Sequence, residues 1–150
     1  MIKIIRTDSK NLDFKALVKQ LDAELAIRDG DDHAFYHQFN GLESITYVVL
    51  IYKDDLAIGC GALKKYSAHE VEVKRMYVIP NHRGSGFASQ ILLALENWSF
   101  ELGFQKCILE TGQNQPEAIR LYKKNNYQII TNYGQYAGVS TSFCFEKLLF

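Results

Sequence analysis

The segment Val73-Lys74-Arg75-Met76-Tyr77-Val78-Ile79-Pro80-Asn81-His82-Arg83-Gly84-Ser85-Gly86-Phe87-Ala88 holds the residues whose spacing says most about chemistry. An apolar run of strand character leads into a turn with one arginine and two glycines, and a helical pattern begins at once. Glycine lets the backbone adopt positive φ and approach a ligand closely, while the first N–H groups of a helix lack partners within it and carry the positive end of its dipole. That combination suits a phosphate or pyrophosphate. Arg83 beside those N–H groups adds a charge-assisted contact of roughly 1.5 to 3 kcal/mol, which a neutral side chain does not match. A second cluster has the opposite sign. Asp22, Glu24, Asp29, Asp31 and Asp32 are answered by Arg28 alone between residues 22 and 32, and Phe35, Tyr36 and Phe39 follow directly. Carboxylates beside aromatic rings suit a cation. The competing reading is a solvated helix end with a turn-forming Asp-Gly-Asp-Asp. Two further constellations carry less: His33 and His37 lie four apart without an HExxH phrase or a nearby cysteine, so no metal is expected. Cys107 sits inside an apolar run with no adjacent histidine, the setting of an inert thiol.

The elements that must position these residues follow from periodicity. Ile2 to Thr7 has the length and β-branched content of a strand, and Ser9 or Asn11 can cap the helix after it. Phe14, Leu17, Val18, Leu21 and Leu25 recur at intervals of three and four, so a helix runs from Asn11 to Arg28 and stops at Gly30. Residues 31–42 lack clean periodicity and read as a short helix or an ordered loop. Ile45 to Tyr52, Leu56 to Leu63 and Val71 to Ile79 are strands with short connectors, hence antiparallel neighbours. A helical stripe of Phe87, Ala88, Ile91, Leu92, Leu95 and Leu102 spans Gly86 to Leu102, and Cys107 to Glu110 completes a βαβ unit with parallel strands. Pro116 opens a helix reaching about Asn125, with Asn126 in a left-handed cap. Tyr127 to Thr131 and Ser142 to Leu149 are the last strands, around a loop of glycine and tyrosine from Asn132 to Val139. No repeat, low-complexity tract or linker divides residues 1–150, so the reading is one mixed α/β domain.

Arg83-Gly84-Ser85-Gly86-Phe87-Ala88 resembles the R/Q-x-x-G-x-G/A signature of the GCN5-related N-acetyltransferases, and the strand before it has that family's apolar character. Leu109 to Tyr127, with its Ala118-x-x-Leu121-Tyr122-x-Lys124 phrase, is similar to the family's later strand and helix; Asn126 stands where Gly is usual. The resemblance covers nearly the whole chain and implies a central, mostly antiparallel sheet with one parallel βαβ pair and helices on both faces. It also implies acetyl-CoA as cosubstrate, with no metal. Within Met76, Tyr77 and Val78, main-chain groups of Met76 and Val78 would pair with the pantetheine arm like an added strand, and the N–H groups from Gly84 through Ser85, Gly86 and Phe87 to Ala88, with Arg83, would hold the pyrophosphate. Asn114 falls in a loop that approaches the cofactor in the family. Acyl transfer to an amine needs an unprotonated nitrogen, a stabilised oxyanion and a proton for the departing thiolate. The resemblance puts Tyr122 at the general acid and Glu72 at the general base, a water chain being the alternative route for the latter. Asp31, Asp32, Phe35, Tyr36 and Tyr133 are expected to wall the pocket of a primary amine on a small molecule or peptide. A homodimer is an expected assembly for such a chain.

Two other functions stay open at this level. A dinucleotide-binding fold would use Gly84-x-Gly86 and an acid at Glu110, but Ser89 replaces its third glycine and three antiparallel-type strands precede the motif. A non-catalytic acetyl-CoA sensor would share the cofactor residues and leave Tyr122 idle. Composition removes other classes. The 150 residues are 47% hydrophobic and 23% charged, as in an ordinary globular domain, with 17 basic against 17 acidic side chains. Net neutrality argues against nucleic acid or an acidic membrane as partner. Residues 1–70 carry 9 basic and 11 acidic side chains and residues 71–150 carry 8 and 6, so the phosphate-type motif lies in the more basic half. No apolar run reaches the roughly 18 residues of a membrane span, Ile2 to Arg6 is too short for a secretory signal, and the three cysteines show no CxxC spacing. A cytoplasmic location is the expectation.

Overall fold

The computed structural model describes residues 1–32, 34, 36 and 45–150. Strand β1 (Ile2–Thr7) leads into α1 (Leu12–Asp29), where the Asn11 side chain accepts a hydrogen bond from the Phe14 N–H at 3.1 Å. That bond satisfies one of the donors a helix start leaves open. Gly30, with φ of +51°, ends the helix as expected, and a 3-10 turn spans Gly30–Asp32. Strands β2 (Tyr47–Lys53), β3 (Leu56–Lys65) and β4 (Glu70–Val78) form a meander, followed by α2 (Phe87–Glu101), β5 (Lys106–Gly112) and α3 (Pro116–Lys124). Strands β6 (Gln128–Ile130) and β7 (Ser142–Leu148) close the chain. Asn126 has φ of +71° directly after α3, so it takes the left-handed position a glycine usually fills. β6 is shorter than the expected strand because Tyr127 turns inward, where its hydroxyl donates to Glu96 at 3.0 Å.

Among the described residues, seven strands are ordered β1-β2-β3-β4-β5-β7-β6, antiparallel except for the β4·β5 pair. This sheet rules out the dinucleotide-binding alternative, which requires a mostly parallel one. Alternation along β2 sorts its side chains by face. Val48 and Leu50 pack with Cys60 and Ala62 under Phe14, Leu17, Val18 and Leu21 of α1. Val49 and Ile51 pack with Ile58, Leu63, Val71 and Val73 against Phe87, Ile91, Leu92 and Leu95 of α2, where Tyr122 of α3 also lies. Helices therefore cover both faces.

Strands β4 and β5 pair only at Glu70 with Lys106, Val71 with Cys107 and Glu72 with Ile108. Beyond those pairs each strand keeps its outer partner, β4 bonding to β3 up to Val78 and β5 to β7 up to Gly112. The sheet opens into a wedge. Its cause lies in β4, where Lys74 pairs with Ala62 and Tyr77 with Cys60, so that Arg75 and Met76 together oppose Gly61. Such a bulge bends its strand and increases the local twist. Arg75 adopts φ of +59°, a costly conformation for a residue with a side chain. It is held there by an ion pair to Asp22 of α1 at 2.5 Å, with its own side chain 2% exposed. Cys60 Sγ donates to the Arg75 carbonyl at 3.3 Å. Glycine at 59 lets the two strands approach: a Cβ there would stand 2.9 Å from the Tyr77 carbonyl oxygen and 2.9 Å from Ile91 Cδ1. Gly59→Ala should accordingly lower stability by about 1 to 3 kcal/mol, seen as a reduced urea midpoint with an unchanged slope.

Candidate active site

The wedge between β4 and β5 joins two hollows. On the α1 side lies a cavity of about 130 Å³ lined by Asp29, Tyr36, Glu72, Lys74, Glu110 and Tyr136. On the other side an open groove of about 630 Å³ runs past Tyr77, Val78, Arg83, Gly84, Gly86, Phe87 and Ala88. Leu21, Met76, Gln115, Ala118 and Tyr122 line both. Met76 follows the bulge, and Tyr122 is the only titratable side chain among those five.

Local sequence builds the groove. Gly84 and Gly86 have φ of +82° and +85°, and nothing stands within 4 Å of where a Cβ would be at either. Gly86 caps α2 with no side chain bonded over the helix start, so the first N–H groups of α2 lie at an uncovered turn. A phosphorylated cofactor fits such a cradle. Arg83 is at its rim but already engaged: Nε donates to the Val78 carbonyl at 2.7 Å, Nη2 donates to Glu24 at 2.9 Å, and the guanidinium lies 5.3 Å from the Tyr77 ring centre. Glu24 also approaches Arg28 at 3.8 Å, and Arg28 reaches Glu117 of α3 at 2.7 Å. An incoming anion therefore competes with Glu24 for Arg83. The Val78 carbonyl, expected to be open to a ligand, is occupied by the same arginine.

The cavity is organised by carboxylates. Tyr133 donates to Glu72 Oε2 at 2.6 Å, and Lys74 Nζ stands 3.8 Å from Glu72 Oε1. Ser142 donates to Glu110 Oε2 at 2.7 Å. Burial pushes the Glu110 carboxyl up to about 7, with the nearby charges of Glu72 and Asp29 acting in the same sense against the Ser142 hydrogen bond and Lys74. Burial lowers the Lys74 ammonium, opposed mainly by Glu72. The Tyr122 phenol is raised well above its usual range, first by burial and then by the Glu110 charge. It is thus a protonated group facing both hollows.

Sequence expectations and positions agree unevenly. Glu72, Tyr36 and Tyr122 line the cavity, and Tyr133 reaches it through Glu72. Asp31 and Asp32 sit in the 3-10 turn and line neither hollow; Asp29 of the same cluster does, because it is the last residue of α1 and buried. Asn114 is exposed and Gln115 takes the junction, since the helix starting at Pro116 directs Gln115 inward. Ser85 lies in the glycine turn with its side chain exposed. Phe35, His33, His37 and Phe39 lie outside the described residues. The Cys107 thiol is pushed up to about 11, chiefly by burial, which fits an unreactive group. Glu110 was missed as a site carboxylate. Its signal was available: a lone acid at the end of the apolar Cys107-Ile108-Leu109 run.

A mixed sheet wedged open beside a glycine turn, with a phenol at the opening, defines a fold known among acyltransferases. Residues 15–127 match the acetyltransferase (GNAT) family, and the chain belongs to that family. A solved Klebsiella pneumoniae structure assigned to the acyl-CoA N-acyltransferases is 30% identical with a TM-score of 0.84, over 100% of this chain and 99% of that one. The PaiA N-acetyltransferase of Thermoplasma acidophilum, solved with coenzyme A, shares the fold at TM-score 0.73 and 17% identity over 99% of each chain. Among curated proteins, the IAA acetyltransferase of Azospirillum brasilense is 33% identical over 93 residues, 61% of each chain. An uncharacterized Escherichia coli N-acetyltransferase, YjgM, is 32% identical over 87 residues, 56% of this chain and 52% of that protein.

The raised Glu110 has a consequence for stability. The folded chain holds this proton up to about pH 7, whereas the unfolded chain releases it near the ordinary value of 4.5. The folded state binds more protons between those limits, so the contribution is full below the lower value and lost as pH rises through the upper one. Glu110→Gln cannot lose it. Urea unfolding should show the variant gaining about 2 to 3 kcal/mol relative to the parent between pH 5 and pH 8.

Proposed function

We propose that the chain transfers an acetyl group from acetyl-CoA to a primary amine within one ternary complex. The observation that carries this reading is the position of Tyr122, shared by a groove suited to a phosphorylated cofactor and a cavity suited to a cation. Acetyl-CoA supplies an acetyl group activated as a thioester. The uncovered helix start at Gly86 and the Arg83 guanidinium bind its anionic end, the latter after exchanging Glu24 for phosphate. The unpaired edge of β4 beyond Glu72, including the main chain of Met76, lines the wedge and offers strand-type hydrogen bonds to an extended arm.

The cavity side prepares the amine. Asp29, Glu72 and Glu110 draw in an ammonium, and a general base must then remove its proton. Glu110 is better matched to that task than Glu72, because its carboxyl is tuned to about 7 while Glu72 is engaged by the Tyr133 hydroxyl and Lys74. Glu72 then serves to hold the ammonium and to set Tyr133. Tyr122, kept protonated by burial, donates to the leaving sulfur.

Tyr122→Phe should lower kcat about 10²- to 10⁴-fold with little change in the KM for acetyl-CoA, measured by free-thiol release. The rate of the parent should rise with pH through a midpoint near 7 as Glu110 ionises, and Glu110→Gln should abolish that limb. Tight acetyl-CoA binding without thiol release on any amine would favour the sensor, and failure to bind coenzyme A would overturn the reading altogether.

A further inference from the structure

Four charged side chains form a row along the groove, alternating in sign. Arg83 Nη2 donates to Glu24 Oε1 at 2.9 Å, Glu24 Oε2 stands 3.8 Å from Arg28 Nε, and Arg28 Nη1 donates to Glu117 Oε2 at 2.7 Å. All four line the groove. Within a cradle for an anion, the Glu24 carboxylate repels the ligand whose arginine it holds. Its two oxygens reach different cations, one in the glycine turn and one on its own helix. Glu24 and Arg28 lie four residues apart on α1 and share a helix face, so the carboxylate passes from one cation to the other by side-chain rotation alone. Each cation is fixed independently of Glu24. Arg83 keeps its Nε bond to the Val78 carbonyl at 2.7 Å and its place over the Tyr77 ring, and Arg28 is anchored to the first turn of α3. A guanidinium has five N–H donors, so Arg28 can bond a second carboxylate while it holds Glu117. The Arg83–Glu24 pair is partly exposed, and such pairs are weak; it yields to a phosphate, which takes bidentate, charge-assisted bonds from arginine.

We propose that Glu24 is a two-position gate on cofactor binding, bonded to Arg83 before the cofactor arrives and to Arg28 once phosphate holds Arg83. The inference rests on the reading of the groove as the site of an anionic cofactor. In its first position the carboxylate takes the anion's place on Arg83. In its second, Arg28 takes up its charge, so the displaced carboxylate is not left unpaired beside the pyrophosphate. The exchange is one of hydrogen-bond partners, with no covalent step. Arg28 is thus a positioning residue, which acts on the cofactor through Glu24. The gate weakens acetyl-CoA and coenzyme A alike, and the return of Glu24 to Arg83 speeds the departure of the product.

Calorimetric titration of coenzyme A into the full chain and its variants tests the gate. Glu24→Gln keeps the shape and an oxygen for Arg83 but removes the charge, and it should tighten binding about fivefold to tenfold. Arg28→Gln removes the receiver of the displaced carboxylate and should weaken binding about fivefold. The double variant should match Glu24→Gln within about twofold, because Arg28 has no work to do once the carboxylate is gone. An arginine that bound phosphate directly would instead cost affinity in both backgrounds. Pantetheine, which has the arm and no phosphate, should bind the parent and Glu24→Gln equally in a chemical-shift titration. Both positions are partly exposed on α1 and glutamine is a good helix former, so the variants should fold. Arg28→Lys keeps the charge and should retain most of the parent's affinity. Glu24→Gln binding coenzyme A no more tightly than the parent would overturn the proposal, as would a loss in Arg28→Gln that persists undiminished in the double variant. Failure of the parent and Glu24→Gln alike to bind coenzyme A is a different failure, since it removes the cofactor reading of the groove and the gate with it.

Discussion

The parting of β4 from β5 is the constraint on which the rest of this structure depends. A continuous sheet would bury the main-chain groups of both strands in a ladder and leave no opening between the α1 and α2 faces. Two residues of β4 opposite one of β3 turn the strand away after Glu72. The bulge places Arg75 in a left-handed conformation costing on the order of 1 to 3 kcal/mol. The ion pair to Asp22 couples that conformation to α1, so the helix that covers one face also holds the strand that opens it. Met76 is then delivered to the boundary between the hollows.

The same opening explains the electrostatics. A closed sheet would have no room for Glu72, Lys74 and Glu110 on adjoining strands, because ionised groups are poorly tolerated away from water without partners. In the wedge each has one: Tyr133 and Lys74 for Glu72, Ser142 for Glu110. The partners are unequal, and the inequality separates the roles. Glu110 is buried, and its burial, reinforced by the charges of Glu72 and Asp29, outweighs the Ser142 hydrogen bond and Lys74, so its proton is held to near neutral pH. In the groove Arg83 is matched by Glu24, and Arg28 by Glu24 and Glu117, so Arg83 is ordered before any anion arrives. Preorganisation of this kind reduces the entropy lost on binding, at the cost of a competing carboxylate.

Much of the fold was legible because its signals are local. Asn11 as a cap, Gly30 as a stop, Asn126 in the left-handed position and Pro116 at a helix start depend on a few neighbouring residues. The glycine turn was legible for the same reason, since strand, arginine, glycines and helix are contiguous. The acceptor side was harder. Asp29, Asp31 and Asp32 are indistinguishable by type, and only the end of α1 decides that the first is buried while the others stay in the turn. Gln115 in place of Asn114 is a one-residue difference set by where α3 begins.

The sequence by itself determined the element order, the single parallel crossover and a phosphate-type cradle at residues 83 to 88, all properties of hydrophobic period and backbone chemistry over short stretches. Tertiary structure decided that Arg83 is shared with Glu24, that Glu110 joins Glu72 in one cavity, and that Tyr36 closes against Thr141 and Ser142. Those pairs are separated by between 38 and 106 positions in the chain. No local pattern encodes such distances. They arise from the strand order, which sets β5 between β4 and β7, and from the bulge, which determines where the sheet stops being continuous.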